Sequence, residues 1–291
     1  MMGIDLFNPF QGWTESLINS IIKGYENIQE DMINSINNIS PLLEQSPLKY
    51  SPSAWNMVTT ISTNVILVIA GLIFAYLLTI ELIEMITQKN NYHEIESFQI
   101  FVWILKIAIG VMILKNYITI INAIFDVGGW ALNKLTEMVN LTTKGASLTY
   151  DLGGKTVEQV AEELGIFVAF RDYIITMILS FIFKGIGILI NVVVIGRFFE
   201  IYLYSIIGTI PLATLATKEY RSIGLNFIKN IFALSLQGLL IIACLAIYIA
   251  LTQGQLQGEG INALKILAFG IVLVFTLFKT KSIAQSVLDA R

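Results

Sequence analysis

Residues 185–217 decide the fold of this chain, with the sequence GIGILINVVVIGRFFEIYLYSIIGTIPLATLAT. Two apolar runs meet there at Arg197 and Glu200, the only charged residues of the stretch. Because both runs are too uniformly apolar for a soluble amphipathic helix, we predict a membrane helix, a charged turn and a second helix. Arg197 and Glu200 are three residues apart, so they share one helix face and can pair.

The second run, residues 201–217, contains Gly208 and Pro211. A proline lacks a backbone donor and clashes with the preceding helical turn, so it predicts a kink near Pro211. Gly208 and Pro211 are therefore candidate hinge residues. The run either crosses the membrane or re-enters it, and these alternatives give six spans or five.

Composition places the whole chain in the same class. Its 291 residues are 55% hydrophobic and 13% charged, whereas about 25% of an ordinary soluble domain is charged. The net charge of −3 provides no global basic field for nucleic acid. One cysteine, Cys244, and one histidine, His93, equip the chain poorly for zinc or triad chemistry. We therefore expect no enzyme activity, no metal and no cofactor.

Upstream of the deciding stretch, residues 57–80 carry no charge over 24 residues. About 20 apolar residues cross a bilayer, so this run is the first predicted span. We expect Ser51 to cap its helix, Pro52 to lie in the first turn and Trp55 to lie at the membrane interface. The second predicted span covers roughly residues 98–125.

The first 56 residues show a different pattern. Apolar residues recur at steps of three or four and predict one amphipathic helix, which Pro41 and Pro47 end. This helix either packs on its own protein, lies in the membrane plane or contacts another subunit. The apolar stripe consists of Trp13, Leu17, Ile21, Tyr25, Ile28, Met32, Ile36 and Ile39.

A polar connection at residues 126–172 precedes the remaining runs, which include predicted spans at residues 173–196, 230–252 and 261–278. The chain divides into an N-terminal helical segment (1–56), a two-span hairpin (57–125), a polar loop (126–172) and a C-terminal membrane domain (173–291). The predicted fold class is all-α. It is a polytopic integral membrane protein of five to six segments, in which the segment kinked at Pro211 is spanning or re-entrant.

Two lysines lie well inside predicted spans. Lys106 and Lys184 are about 14–18 Å along their helices, near the middle of a hydrocarbon core about 30 Å thick. A charge there is costly, so each lysine either pairs between packed helices or faces a hydrated space shared by subunits. Neither is expected to face lipid. With Arg197 and Glu200, they are the candidate pore or inter-helix polar residues.

Lys218, Arg221 and Lys229 form the most basic short loop of the chain. The excess of basic residues in cytoplasmic loops predicts that this loop is a cytoplasmic contact. Counting charges over all loops favours six spans with the N-terminus inside. Single-strand binding would need a basic groove with several aromatic residues, and this loop offers only Tyr220 and Phe227, so membrane anchoring is the favoured interpretation.

Several stretches resemble one protein family. They are residues 51–56 (SPSAWN), 81–93 (ELIEMITQKNNYH), 125–127 (FDV), 196–217 (GRFFEIYLYSIIGTIPLATLAT) and 226–248 (NFIKNIFALSLQGLLIIACLAIY). In amino-acid sequence and in order along the chain, they are similar to the TrbL-like polytopic membrane subunits of type IV secretion (conjugal transfer) systems. The branch found on conjugative elements of Gram-positive bacteria is the most similar.

The resemblance implies a non-enzymatic channel component in the inner or sole cell membrane, which helps to pass single-stranded DNA with its attached relaxase. The implied partners are membrane lipid, secretion ATPases, single-span membrane proteins and further copies in a ring. The family topology has an external N-terminus, five spans and an external central loop. We adopt it over the charge count, because the kink at Pro211 gives a reason to discount one span.

Two alternatives come from other classes. Broken helices and buried lysines would suit a small-solute transporter, but the two halves of the sequence show no internal repeat. An intramembrane enzyme would need a nucleophile–base pair or metal ligands within the spans. His93 lies alone in a predicted loop, so the sequence does not favour this class.

Overall fold

A computed structural model describes residues 10–87, 97–143, 154–255 and 263–290. The predicted loop with His93 lies outside the described residues. The regular structure that is described is entirely helical. The helices are α1 (Gln11–Glu44), α2 (Pro47–Tyr50), α3 (Pro52–Ile61), α4 (Leu67–Thr87), α5 (Ser97–Lys115), α6 (Tyr117–Thr143), α7 (Val157–Ile207), α8 (Thr209–Ala213), α9 (Arg221–Gln255) and α10 (Ala263–Val287).

Five helical stretches within the described residues are long and apolar enough to cross a membrane. The first joins α3 and α4 through a π-helical turn at Ser62–Ile66. The chain is therefore an all-α polytopic membrane protein, and the predicted fold class is confirmed. The stretches are Pro52–Thr87, Phe98–Lys115, Val157–Ile207, Arg221–Thr252 and Leu267–Val287.

The chain forms two compact units that do not follow its linear order. The first unit comprises Met1–Pro41, Lys134–Val193 and Ile241–Phe278. The second comprises Leu42–Asn133, Val194–Leu240 and Lys279–Arg291. The four segments that we expected from the sequence remain a prediction.

The charged turn predicted at Arg197 and Glu200 is wrong, because α7 continues through both residues to Ile207. Nothing at this point removes a backbone donor, and both side chains find partners on other helices, so the helix has no cause to end. The break predicted near Pro211 begins at Gly208, which separates α7 from α8. A short 3₁₀ turn, Thr214–Ala216, follows α8.

The N-terminal helix is longer than expected, because Pro41 lies inside α1 and does not end it. Ile39 and Leu43, on either side of this proline, are both buried. Burial of this kind outweighs local propensity in deciding where a helix forms. Of the predicted stripe, Ile21, Tyr25, Ile28 and Ile39 are buried, Trp13 is 72% exposed, and the side chains of Met32 and Ile36 lie outside the description.

The polar connection predicted for residues 126–172 is helical at residues 126–143 and 157–172, and residues 154–156 are described but not helical. Helix α6 extends to Thr143, and α7 begins at Val157. Helix α7 changes direction at Gly165, whose φ of 66° is accessible mainly to glycine. In residues 126–143 and 157–172 the polarity therefore reflects exposed helix faces, and residues 144–153 lie outside the described residues.

The first unit packs the early part of α7 against α1. Ile18 of α1 forms a buried cluster with Ala161 and Ala169 of α7. Further along, Gly24 lies so close to Thr176 that a β-carbon would come within 2.5 Å of the threonine methyl group. Small residues at such contacts let membrane helices approach closely.

In the second unit, the end of α7 runs parallel to the segment from α2 to α4. The rings of Phe198 and Tyr50 stack with centroids 3.7 Å apart. One turn further along, the Tyr202 hydroxyl donates to the Pro47 carbonyl at 3.0 Å. Near the π-helical turn, the Ser62 hydroxyl donates to the carbonyl of Ile206 at 2.8 Å.

Trp55, predicted at the membrane interface, is buried in this unit with 3% exposure. Its ring lies 6.1 Å from the ring of Tyr202. The Ser51 cap is confirmed, since its side chain accepts from the backbone N–H of Ala54 at 3.4 Å and Pro52 opens the helix.

Helix α9 then returns antiparallel to α7 and α8. A β-carbon at Gly224 would lie 2.7 Å from the Pro211 carbonyl oxygen, and one at Gly208 would lie 2.7 Å from Phe227 Cζ. Gly224 therefore permits the close approach of two backbones, and Gly208 makes room for the Phe227 ring. The hairpin turn lies at residues 217–220, between the 3₁₀ turn and α9.

Candidate functional site

Arg197 is buried in the second unit, with 4% of its surface exposed. Its Nε donates to the Leu234 carbonyl on α9 at 2.9 Å, and its Nη2 lies 3.5 Å from the Ser235 carbonyl. The guanidinium carbon is 5.6 Å from the centre of the Phe198 ring. Backbone dipoles and an aromatic ring therefore surround this charge.

Arg197 and Glu200, which their spacing would allow to pair, do not pair with each other among the described residues. Glu200 instead pairs with Lys281 of α10, whose Nζ lies 2.9 Å from a carboxylate oxygen. Side chains on a helix tilt towards its N-terminus, so Arg197 extends away from a glutamate that follows it in sequence. The three-residue spacing places both side chains on one helix face, but it does not bring them into contact.

Gly238 makes room for the arginine on α9. A β-carbon at this position would lie 3.1 Å from Arg197 Cζ. The Nη1 atom of Arg197 is buried and has no hydrogen-bond partner among the described residues. We therefore interpret Arg197 as an anchor between α7 and α9 that requires a glycine opposite it.

Lys229 is separated from the other two residues of the predicted basic loop. Its Nζ donates to the Asp289 backbone carbonyl at 3.2 Å and lies 3.7 Å from the Asp289 carboxylate. The neighbouring Asn230 accepts from Gln285 at 2.8 Å. Lys229 thus holds the end of the chain against α9.

Lys106 of α5 forms an ion pair with Glu81 of α4. Close by, the Trp103 indole N–H donates to the Leu78 carbonyl at 3.3 Å. Glu81 is the first charged residue after the uncharged run at residues 57–80. Lys106 therefore pairs with the residue that ends that run, and its depth in the bilayer remains a prediction.

Lys106 also borders a cavity of ≈ 260 Å³, which we call the cationic cavity. Lys218, in the turn before α9, and Arg221, the first residue of α9, line the same cavity. Its apolar lining includes Ile109, Ile113 and Leu215. The structure thus brings together three of the predicted site residues, taken from two distant parts of the sequence.

Lys218 and Arg221 are exposed. No carboxylate pairs with either of them in the part of the chain that the structure describes. Lys106 is neutralised by Glu81, so the cavity carries an excess of about two positive charges from Lys218 and Arg221. Such a surface favours an anion.

Lys184 lies elsewhere, on an exposed face of α7 in the first unit. Its neighbours on that face include Phe181, 80% exposed, and Ile188, 65% exposed. No ion pair involves Lys184 within the described residues. The expectation that it faces away from lipid therefore depends on a surface outside this single chain.

Two participants were not found by sequence reasoning. Glu81 was interpreted only as the end of a span, although a carboxylate there is a natural partner for a lysine in the next span. Gly238 gave no signal, because a glycine in an apolar helix is common in membrane proteins. Among the described residues, no three His, Cys, Asp or Glu side chains are placed to hold a metal ion.

The five apolar helices and the charges held between them define a polytopic helical membrane protein. Residues 32–209 match the family described as TrbL/VirB6 plasmid conjugal transfer like protein, and the chain belongs to this family. It is thus a component of conjugal transfer machinery, a type IV secretion system, and associates with other subunits of that machinery. No curated protein matches the chain. No solved structure matches it.

Proposed function

We propose that this chain is a channel or scaffold subunit in the inner, or cytoplasmic, membrane of a conjugative type IV secretion system. It helps to pass single-stranded DNA with its attached relaxase across that membrane. The observation that carries the proposal is the family match over residues 32–209, which includes the first three candidate spans in full.

The packing of the helices supports a path between copies of the chain and not through one copy. Large apolar side chains of the candidate spans are buried between packed helices. Among them are Ile190, Ile241 and Leu245, each with 0% exposure. A hydrated passage for a polyanion needs polar walls. A homo-oligomeric ring, joined by the secretion ATPases and single-span subunits, would provide such a space.

Lys184 fits this arrangement. An unpaired lysine on a membrane-facing helix costs about 2.5–3.5 kcal/mol on insertion scales, so a hydrated or acidic neighbour would stabilise it. In a ring, the exposed face of α7 would meet a second copy or the central space.

The test is a markerless deletion of the gene in the donor, with transfer frequency measured in matings. We expect transfer to stop while growth is unchanged, and a wild-type copy in trans to restore it. Normal transfer from a verified deletion strain would refute the assignment to the transfer machinery.

A second experiment separates a channel role from a scaffold role. Lys184→Gln in the complementing copy should leave the chain in the membrane and in the assembled complex but lower transfer, if the charge serves the passage of DNA. Loss of assembly with Lys184→Gln would instead assign the charge a structural role. Normal transfer and normal assembly for Lys184→Leu and Lys106→Leu alike would contradict both roles.

A further inference from the structure

The cationic cavity combines positive charge with an apolar wall. Lys218 and Arg221 supply positive charge without carboxylate partners among the described residues, while Ile109, Ile113 and Leu215 give it an apolar wall. An inorganic anion would use the charges alone. A ligand that uses both must carry a negative group attached to hydrocarbon.

The position of the cavity fits such a ligand. Its lysine, Lys106, pairs with Glu81, where the uncharged run of α4 ends. The opposite wall is the turn between α8 and α9, so Lys218 and Arg221 lie where these two helices leave the apolar core. Phosphate groups of phospholipids lie at this level of a bilayer, just outside the hydrocarbon.

The size of the cavity limits what it can hold. Its volume of ≈ 260 Å³ lies below the range of about 300–1,000 Å³ that is typical of pockets for whole small molecules. A headgroup with the beginning of its acyl chains would fit, and the chains would continue along Ile109 and Ile113 into the bilayer. Basic pockets between membrane helices bind anionic headgroups in this way.

We infer that the cationic cavity binds the phosphate of an anionic phospholipid headgroup through Lys218 and Arg221, with the acyl chains against α5. Lys106, fixed by Glu81, positions the third side of the site. A single-stranded nucleic acid is a poorer match, because stacked bases need a row of aromatic side chains along an extended groove. This inference is independent of the proposed function, since binding of lipid is measured on the purified chain.

The experiment uses the full chain, purified in a neutral detergent and titrated with phosphatidylglycerol or phosphatidylcholine under native mass spectrometry. The test variant is Lys218→Gln/Arg221→Gln. The matched control is Lys23→Gln/Lys279→Gln, which removes the same net charge from exposed positions that do not line the cavity. We expect wild type and control to bind phosphatidylglycerol in preference to phosphatidylcholine.

The test variant should lose affinity for phosphatidylglycerol by about 25-fold, because each of the two basic residues at an anionic headgroup contributes about fivefold. An equal loss in test and control variants would overturn the inference, since it would reflect only net charge. No preference for the anionic lipid in the wild type would overturn it too.

Two further arms identify the source of the phosphate. Inorganic phosphate in millimolar excess should not displace the lipid, and a single-stranded oligonucleotide should not compete at the cavity. Displacement of the lipid by either competitor would overturn the lipid inference and identify that competitor as the ligand of the cavity. Ala216→Phe, which fills the cavity and keeps all three basic residues, should also abolish the preference, and retained binding in a monodisperse sample would contradict the site.

Discussion

At the scale of single residues, three of the candidate site residues find their partners on other helices and not along their own. Arg197 contacts carbonyls of α9, Glu200 pairs with Lys281, and Lys106 pairs with Glu81. Sequence spacing reports only which residues share a face of one helix. It carries no information on the register between two helices, so the partner of Lys106 could be predicted as a class, a carboxylate or carbonyl, but not as Glu81.

The first prediction concerns Gly238. Gly238→Ala should lower the free energy of unfolding by about 1–3 kcal/mol, because its β-carbon would press on the buried guanidinium of Arg197. Gly71→Ala is the control, since nothing lies within 4 Å of a β-carbon there, and alanine should gain up to about 1 kcal/mol as the better helix former. Thermal or denaturant unfolding of both variants in detergent measures the difference. Equal stabilities of the two variants would contradict the role of Arg197 as an anchor between α7 and α9.

The second prediction concerns the pair of Lys106 and Glu81. Lys106→Gln should destabilise the chain by about 1–3 kcal/mol, because it leaves a partly buried carboxylate without its cation. Lys106→Gln/Glu81→Gln should recover most of that loss, since no charge is then left unpaired. A double variant as unstable as the single one would show that the pair itself is not what Lys106 provides.

At the scale of elements, each of the five candidate spans overlaps an apolar run predicted from the sequence, because length and hydropathy are local properties. The second span ends at Lys115 and not near residue 125 as predicted. The ends of helices were predicted less well. Pro41 lies inside α1, and Arg197 and Glu200 lie inside α7, since burial and partners on other helices override a local signal. Gly208 is the exception, where a break in the sequence pattern and a break in the helix coincide.

The third prediction concerns the contact between α7 and α9 at that break. Gly208→Ala should destabilise the hairpin, because its β-carbon would lie 2.7 Å from Phe227 Cζ. Phe227→Leu in the same chain should restore part of the loss by removing that ring atom. A double-mutant cycle on unfolding free energies should therefore give a coupling of about 0.5–3 kcal/mol, and strict additivity would mean that the two residues do not meet.

At the scale of the whole molecule, the number of candidate spans within the described residues agrees with the five-span alternative. Residues 201–207 belong to α7, and α8 has only five residues, so residues 201–217 form no helix of their own that could cross a membrane. The side on which each loop lies remains a prediction.

The fourth prediction tests that topology. Single cysteines at Ser147, outside the described residues, and at exposed Ser222 should react with an impermeant maleimide from opposite sides of the membrane. The background is Cys244→Ser, which removes the only native thiol. Labelling from one and the same side would favour six spans.

The fifth prediction concerns assembly. The exposed apolar face of α7 around Lys184 leads us to expect a homo-oligomer in mild detergent. Mass measurement of the purified chain should show one defined multiple of the monomer. Monomer alone in several mild detergents would count against a ring.

The contact between Arg197 and α9 also has a consequence for the time at which the protein is made. The acceptor carbonyl of Leu234 follows the arginine by 37 residues, and ribosomes add about 5–20 residues per second. For about 2–7 s, the guanidinium therefore exists before its acceptor has been synthesised. During this interval the charge of Arg197 has no partner that would stabilise α7 in lipid. Release of α7 from the insertion machinery should therefore wait for α9. The two helices should then enter the bilayer together.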